Sequence, residues 1–245
     1  MSDGESNRRR NEGETSRRSE ESDERVVAVV TGTRAEYGLL KSSMEAIRDR
    51  PDLSLRTVAT GMHRSPEHGS TVSEIRDDGF DVTETVHMLV AGDSGRSMAK
   101  SLGLGTSGLA EALGSIDPDV VLVLGDRDEA LAAGLAAAHM NIPVAHVHGG
   151  DSMHGAVIDD SIRHALTKFA HLHFPVSELS AERIRKLGEE TLRISTVGVP
   201  GLDAVLVGDY ADPESVVLKY DLDAAGDAGE RRPDDQLRPR RRRQP

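Results

Sequence analysis

Between residues 25 and 200 the apolar positions follow two alternating rhythms. "RVVAVVT" (25–31) and "DPDVVLVLGD" (117–126) are near-continuous apolar runs, the pattern of strands covered on both faces. "LSLRTVAT" (53–60), "IPVAHVH" (142–148), "HLHFPV" (171–176) and "LRISTVG" (192–198) read as further strands. Between them lie helical patterns. "RAEYGLLKSSMEAIRDR" spaces Leu39, Leu40, Met44 and Ile47 for one helix face, and "TVSEIRDDG" predicts a short helix that stops at its glycine. "DEALAAGLAAAHMN" predicts a small-residue helix suited to close packing on a sheet, and "SAERIRKLG" a later one. "DDSIRHALTKFA" opens on an Asp pair suited to an N-cap. Buried strands alternating with helices predict an α/β fold, a parallel sheet with helices on both faces. In such sheets ligands bind at the carboxyl ends of the strands.

The two ends break this rhythm. Residues 1–24, "MSDGESNRRRNEGETSRRSEESDE", are polar and charged, and are expected to be disordered. The last 23 residues hold seven Arg and three Pro and little that is apolar, so nothing there offsets the entropy of ordering. The expected division is a disordered tail over 1–24, a folded domain over 25–208, and a truncated or frameshifted disordered tail over 209–245. An Arg-rich tail for an anionic partner is the alternative reading of that last segment.

Composition narrows the class of protein. The chain has no Cys, which excludes disulfides and thiolate chemistry and fits a reducing compartment. The first residues hold no apolar signal core, and no run approaches the ~18 apolar residues of a membrane span. The expectation is a cytoplasmic protein without a membrane partner. The 42 acidic residues against 30 basic ones give a net charge of -12, which argues against nucleic acid as a partner. Many acids, five Lys and few aromatics resemble the composition of halophilic proteins, whose acidic surface keeps them hydrated.

The polar motifs fall at the ends of the predicted strands. "TGTR", "TGMHRSPEHG", "GDRDE", "HVHGGD…IDD" and "VGVPGLD" each follow one, so all five can converge on a single cleft. No G-x-G-x-x-G or P-loop pattern is present, which sets aside a standard dinucleotide site and a P-loop NTPase. Arg34 stands beside a helix N-terminus, where anions are favoured. Asp126 and Arg127 end the most hydrophobic strand, where charge is costly unless paired or used; a salt bridge between them or with neighbours is the structural alternative. Residues 146–164 hold four His, three Asp and three Gly. His146 and His148 are one residue apart, so on a strand they share a face. Zinc ligation with Asp151 competes there with a hydrogen-bonding role, and no Cys or H-E-x-x-H supports zinc, so no metal is assigned. His171 and His173 read as packing residues. Of Asp159 and Asp160, one suits the N-cap and the other is free to act as a general base.

Taken together, "VTGTRAEYG", "TGMHRSPEHG", "LVLGDRDEALAA", "IPVAHVHGGDSMHGAVIDDSIRHALTKFAHLHF" and "VGVPGLD" resemble the hydrolysing UDP-N-acetylglucosamine 2-epimerases of sialic- and legionaminic-acid synthesis. The resemblance covers roughly residues 26–207, and the 142–174 block is its most specific part. It implies one half of a two-domain, glycosyltransferase-B-like epimerase, two Rossmann-like domains with the UDP-sugar between them. It implies elimination of UDP to a glycal, then addition of water to give N-acetylmannosamine or a 4-acetamido analogue. No cofactor is needed, and the full-length protein is expected to be a homo-oligomer.

The matching positions carry the family's roles as expectations. Asp126 matches the catalytic Asp of "GDR", and Asp159 the proton-transfer acid of "IDDSIRH". Arg127, Arg34, His63 and His146 match substrate-contacting positions. His148 departs from members that carry a catalytic Glu in that slot, which makes Asp151 a candidate to share or replace its acid–base role. The family's second domain should begin near residue 210. A non-catalytic sugar-nucleotide-binding module acting with a partner chain is the alternative function.

Overall fold

The computed structural model describes residues 24–64, 71–92, 94–153, 155 and 158–203. Apart from Glu24, the tails expected at 1–24 and 209–245 lie outside the described residues, as does the "SPEHG" part of the second motif. Strands β1 (Arg25–Thr31), β2 (Leu53–Ala59), β3 (Val82–Thr85), β4 (Val120–Leu124), β5 (Val144–Val147) and β6 (Leu172–Phe174) form one sheet in the order β3-β2-β1-β4-β5-β6. Every neighbouring pair is parallel. The helices are α1 (Arg34–Arg48), α2 (Val72–Asp77), α3 (Gly95–Ile116), α4 (Asp128–His139), α5 (Asp159–Phe169) and α6 (Glu178–Lys186).

The continuous apolar strands are what a doubly covered sheet requires. Along β1, Val27 and Val29 face one core, with Leu40 and Met44 of α1 and Ile75 of α2. Ala28 and Val30 face the other, with Leu109 and Leu113 of α3, five alanines of α4 and Leu166 of α5. β4 repeats the split: Val121 and Val123 go to the second core, Leu122 and Leu124 to the first. Period-two alternation distributes one apolar run between two layers of helices. The expected α/β class, Rossmann-like with helices on both faces, is the observed one.

Four details differ from the sequence expectation. "LRISTVG" forms no strand; a short 3-10 turn (Thr191–Arg193) leads to a single bridge between Ile194 and His173. Leu192 is 83% exposed, so this apolar stretch is not drawn into the sheet by burial. Neither Asp159 nor Asp160 caps α5, because Ile158 occupies the N-cap and both acids lie inside the first turn. Strand β3 and the 22-residue helix α3 are present without having been expected. His148 lies beyond the end of β5 with φ +63°, so the shared strand face expected for His146 and His148 does not extend to it.

The strand order reverses between β1 and β4. At such a reversal the connections leave in opposite directions and a crevice opens above the carboxyl ends of the two strands.

Candidate active site

The turn from β4 into α4 places Asp126 and Arg127 at this reversal. A cavity of about 350 Å³ opens there, lined by Asp126, Arg127 and Asp128 of this turn and by Asp159 at the start of α5. Its other wall is apolar: Met62 follows β2, Met88 and Leu89 follow β3, and Met98 stands in α3. Leu89 and Met98 are about half exposed, so the wall is open to whatever occupies the cavity.

Asp126 is held from below. Its carboxylate pairs with the Arg163 guanidinium of α5, whose side chain is 9% exposed. The same guanidinium donates to the His148 carbonyl oxygen at 2.8 Å. Arg163 therefore ties the β4 turn, the β5 turn and α5 together. The ion pair weighed for Asp126 exists, and of the two kinds of partner weighed it is a neighbour, Arg163, and not Arg127. Arg127 Nε lies instead 3.8 Å from the buried carboxylate of Glu129.

His146 does not line the cavity. It is fully buried in β5, and its Nε2–H donates to the Gly125 carbonyl oxygen at 2.7 Å. This hydrogen bond fixes the residue before Asp126. Burial, strongest of the influences on it, lowers the His146 imidazole to about 3, so the ring is neutral. His148 is half-buried, and burial lowers its pKa as well, against the pull of Asp151. His148 Nδ1 and Asp151 Oδ2 are 3.8 Å apart, and Ser180 Oγ donates to the other Asp151 oxygen. His148 and Asp151 are thus paired with each other, one turn away from the cavity-lining acids.

The two Asp residues of α5 divide their work. Asp160 accepts hydrogen bonds from the Met153 N–H and the Ser152 hydroxyl, both at 3.1 Å, and braces the preceding loop. The bond from Met153 N–H, first among the causes, lowers its pKa. Asp159 faces the cavity. Burial and then the charge of Asp159 push Asp128 upward, against Arg127.

Two expected contacts lie elsewhere. Arg34 is 74% exposed and pairs with Glu74 at 2.8 Å. His63 is fully buried between Thr31 Oγ1 at 3.2 Å and Thr71 Oγ1 at 2.7 Å, and burial lowers its pKa. His171 accepts from the Val144 N–H through Nδ1 at 3.2 Å, and His173 lies opposite His146 across β5 and β6. Among the described residues no group of three His, Asp or Glu is disposed to hold a metal ion.

Of the expected residues, the cavity gathers Asp126, Arg127 and Asp159, a set suited to proton transfer beside a developing anion. Arg163, Asp128, Glu129 and the methionine wall were not foreseen. Arg163 carried one signal: it follows Ile162 and precedes Leu166 on the apolar face of α5, where an unpaired charge is costly.

Residues 45–225 match the family model described as UDP-N-acetylglucosamine 2-epimerase. The chain belongs to this epimerase family. It is 42% identical over 182 residues to a UDP-N,N'-diacetylbacillosamine 2-epimerase (hydrolyzing) of Legionella pneumophila, a match covering 74% of this chain and 48% of the relative. It is 32% identical over 196 residues to a UDP-N-acetylglucosamine 2-epimerase of Neisseria meningitidis, covering 80% of this chain and 51% of the relative. Among solved structures, the Neisseria meningitidis UDP-GlcNAc 2-epimerase bound to UDP-GlcNAc superposes with a TM-score of 0.67 at 20% identity, over 80% of this chain and 51% of that one. The Methanocaldococcus jannaschii UDP-GlcNAc 2-epimerase gives 0.64 at 21%, over 74% and 47%. The chain spans about half the length of the curated relatives it matches. No helix among the described residues of this epimerase-family chain is long and apolar enough to cross a membrane.

Proposed function

We propose that this chain carries the proton-transfer side of a hydrolysing 2-epimerase acting on a UDP-linked 2-acetamido sugar. One observation carries the reading: two carboxylates, Asp126 and Asp159, and the Arg127 guanidinium line a single cavity at the strand-order reversal. The relatives' names supply the substrate class. In this reading a carboxylate removes the C2 proton, the C1–O bond breaks, and UDP leaves with the bonding electron pair to give a glycal. Water then adds at C1 and a proton returns to C2 from the opposite face, giving the free 2-epimer. Asp126 and Asp159 are assigned to the two proton transfers, with the neutral His148 and Asp151 as an adjoining acid–base pair. Arg127 faces the negative charge that develops on the leaving diphosphate. His63 and His146 support the site from outside the cavity through the Gly32 and Gly125 carbonyl oxygens, whereas Arg34 is exposed, paired with Glu74, and does not line it.

Holding the reacting carbon against these groups depends on binding energy from the remote nucleotide. The complementary half of the relatives' length is therefore assigned that grip, and this chain alone is expected to release little UDP. A UDP-release assay tests this on the chain alone and on its fusion to the complementary half of the Legionella relative. The fusion should turn over UDP-N-acetylglucosamine or a 2,4-diacetamido analogue, and Asp126→Asn or Asp159→Asn should abolish release with the circular dichroism unchanged. A folded but inert fusion favours the non-catalytic module. Variants that keep full release defeat the assignment of the carboxylates.

A further inference from the structure

Three turns at the sheet edge converge on carboxylates that the proposed chemistry leaves unused. Gly32 follows β1, Gly61 follows β2, and Glu129 stands in the first turn of α4. Glu129 is 5% exposed. A Cβ on Gly32 would lie 2.5 Å from Glu129 Cγ, and one on Gly61 would lie 2.3 Å from Glu129 Oε1. Gly61 also has φ +55°, a backbone state that other residues adopt at a cost. Two glycines thus make room for one acidic side chain. Its outer oxygen faces Arg127 Nε at 3.8 Å, and Arg127 lines the cavity. Glu36 of α1 reaches the same corner, where its Oε2 accepts from the Gly32 N–H at 2.8 Å. The His63 N–H closes the corner from the β2 side, donating to the Gly32 carbonyl oxygen at 3.2 Å.

We propose that Glu129 is a positioning residue: seated between the Gly32 and Gly61 turns and backed by Glu36, it aims the Arg127 guanidinium into the cavity. The inference rests on the proposed function only for the identity of the anion that Arg127 meets, a nucleoside diphosphate group. The charged groups facing Glu36 are Glu129 and Arg127. Burial first, and then the Glu129 charge, push the Glu36 carboxyl up to about 8, against the Gly32 hydrogen bond and Arg127. At neutral pH Glu36 is protonated, and the corner holds one negative charge, on Glu129, opposite Arg127. As pH rises through about 8 a second charge appears and competes with any anion for Arg127.

The 245-residue chain, ¹⁵N-labelled, permits the test. In it the Gly32 amide reports Glu36 ionisation and the Arg127 Nε–H reports its orientation; in its fusion to the complementary half, which the proposed function credits with the grip on the nucleotide, the Gly125 amide reports binding of UDP as probe. In the wild type the Gly32 amide should titrate with a midpoint near 8. In Glu129→Gln that midpoint should fall, because a like charge is gone, while burial keeps it above the ordinary carboxylate range. The same variant should move the Arg127 Nε–H signal and weaken UDP about fivefold at pH 7, the upper end of what one partly exposed ion pair supplies. Glu129→Asp should restore part of both. Should Glu129→Gln not fold, Glu36→Gln decides: it must remove the Gly32 titration and the decline of UDP affinity above pH 8. An unmoved Arg127 signal in Glu129→Gln, or a Gly32 amide that stays flat between pH 6 and 10 in the wild type, overturns the inference. No response of Gly125 to UDP in any variant of the fusion defeats the proposed function instead, and the ligand-free signals of the 245-residue chain still decide this point.

Discussion

Replacing Arg163 by Met removes a charge and leaves its partner behind. Arg163→Met keeps the apolar stem that packs on α5's buried face and deletes two interactions, the pair with Asp126 and the bond to the His148 carbonyl oxygen. Breaking a buried ion pair from one side costs about 3–5 kcal/mol. Asp126 retains 21% of its side-chain exposure, so water recovers part of the lost solvation and the low end applies, about 3 kcal/mol. For a domain of this size that is a fall in Tm of roughly 6–12 °C. Urea unfolding at pH 7 gives the free energy directly. The double variant Arg163→Met/Asp126→Leu also removes the orphaned carboxylate. It should be more stable than the sum of the single losses predicts, with a coupling of about 2 kcal/mol. A loss below about 1 kcal/mol, or additive single and double variants, would refute the view that Arg163 holds the cavity-lining Asp126 in place.

Other expectations concern pH and backbone. Burial holds the His146 imidazole near 3 in the fold against 6.5 for a free side chain, so between these values the unfolded chain takes up a proton that the folded chain refuses. Stability is complete above pH 6.5 and falls on acidification towards 3, by up to about 1.4 kcal/mol per pH unit for this one proton. His146→Gln, which keeps a donor for Gly125, should flatten part of that dependence in unfolding curves taken from pH 7 to 4. Gly150 has φ +76°, and a Cβ there would stand 2.2 Å from the Ser180 carbonyl oxygen. Gly150→Ala should therefore cost at least about 2 kcal/mol in urea unfolding, and a smaller loss would mean that α6 shifts away freely.

The sheet was legible because its physics is one-dimensional. β1 and β4 had to be apolar on both faces, and the sequence writes that as unbroken runs of Val, Ala and Leu. Helix α3 was not legible, because glycine has low helix propensity and this helix carries five. For two of them the reason is tertiary. A Cβ at Gly105 would lie 2.8 Å from Met88 Cε, and one at Gly108 would lie 2.6 Å from Val86 Cγ1, so close packing on the segment after β3 demands them. In the site, Asp126 and Arg127 stood out as charges ending a hydrophobic strand, and Asp159 through a loop crowded with titratable groups. Glu129 has the look of an ordinary helix charge, and Arg163 is marked only by its place on the apolar face of α5. Their importance comes from where α5 and α4 dock, which no local pattern states. The methionine wall is gathered from three segments with no shared motif.

The reversal of strand order also governs the route to the native state. β1 pairs with β2 across a short connection, whereas Val27 meets Val120 of β4, with 93 residues of sequence separation between them. The Val26 N–H is bound by the Asp119 carboxylate over the same span. Closing so long a loop is entropically slow compared with forming β1, α1 and β2. Asp126, Arg127 and the seat of Glu129 all lie beyond that closure, so the cavity can be assembled only after the most distant register has been found. Pulse-labelled hydrogen exchange during refolding should show the Val58 amide protected before that of Val121, and the reverse order would contradict this sequence of events. On a ribosome, β1 must wait for the strand and the residues that make the cavity chemically distinctive, all of which are synthesised long after it.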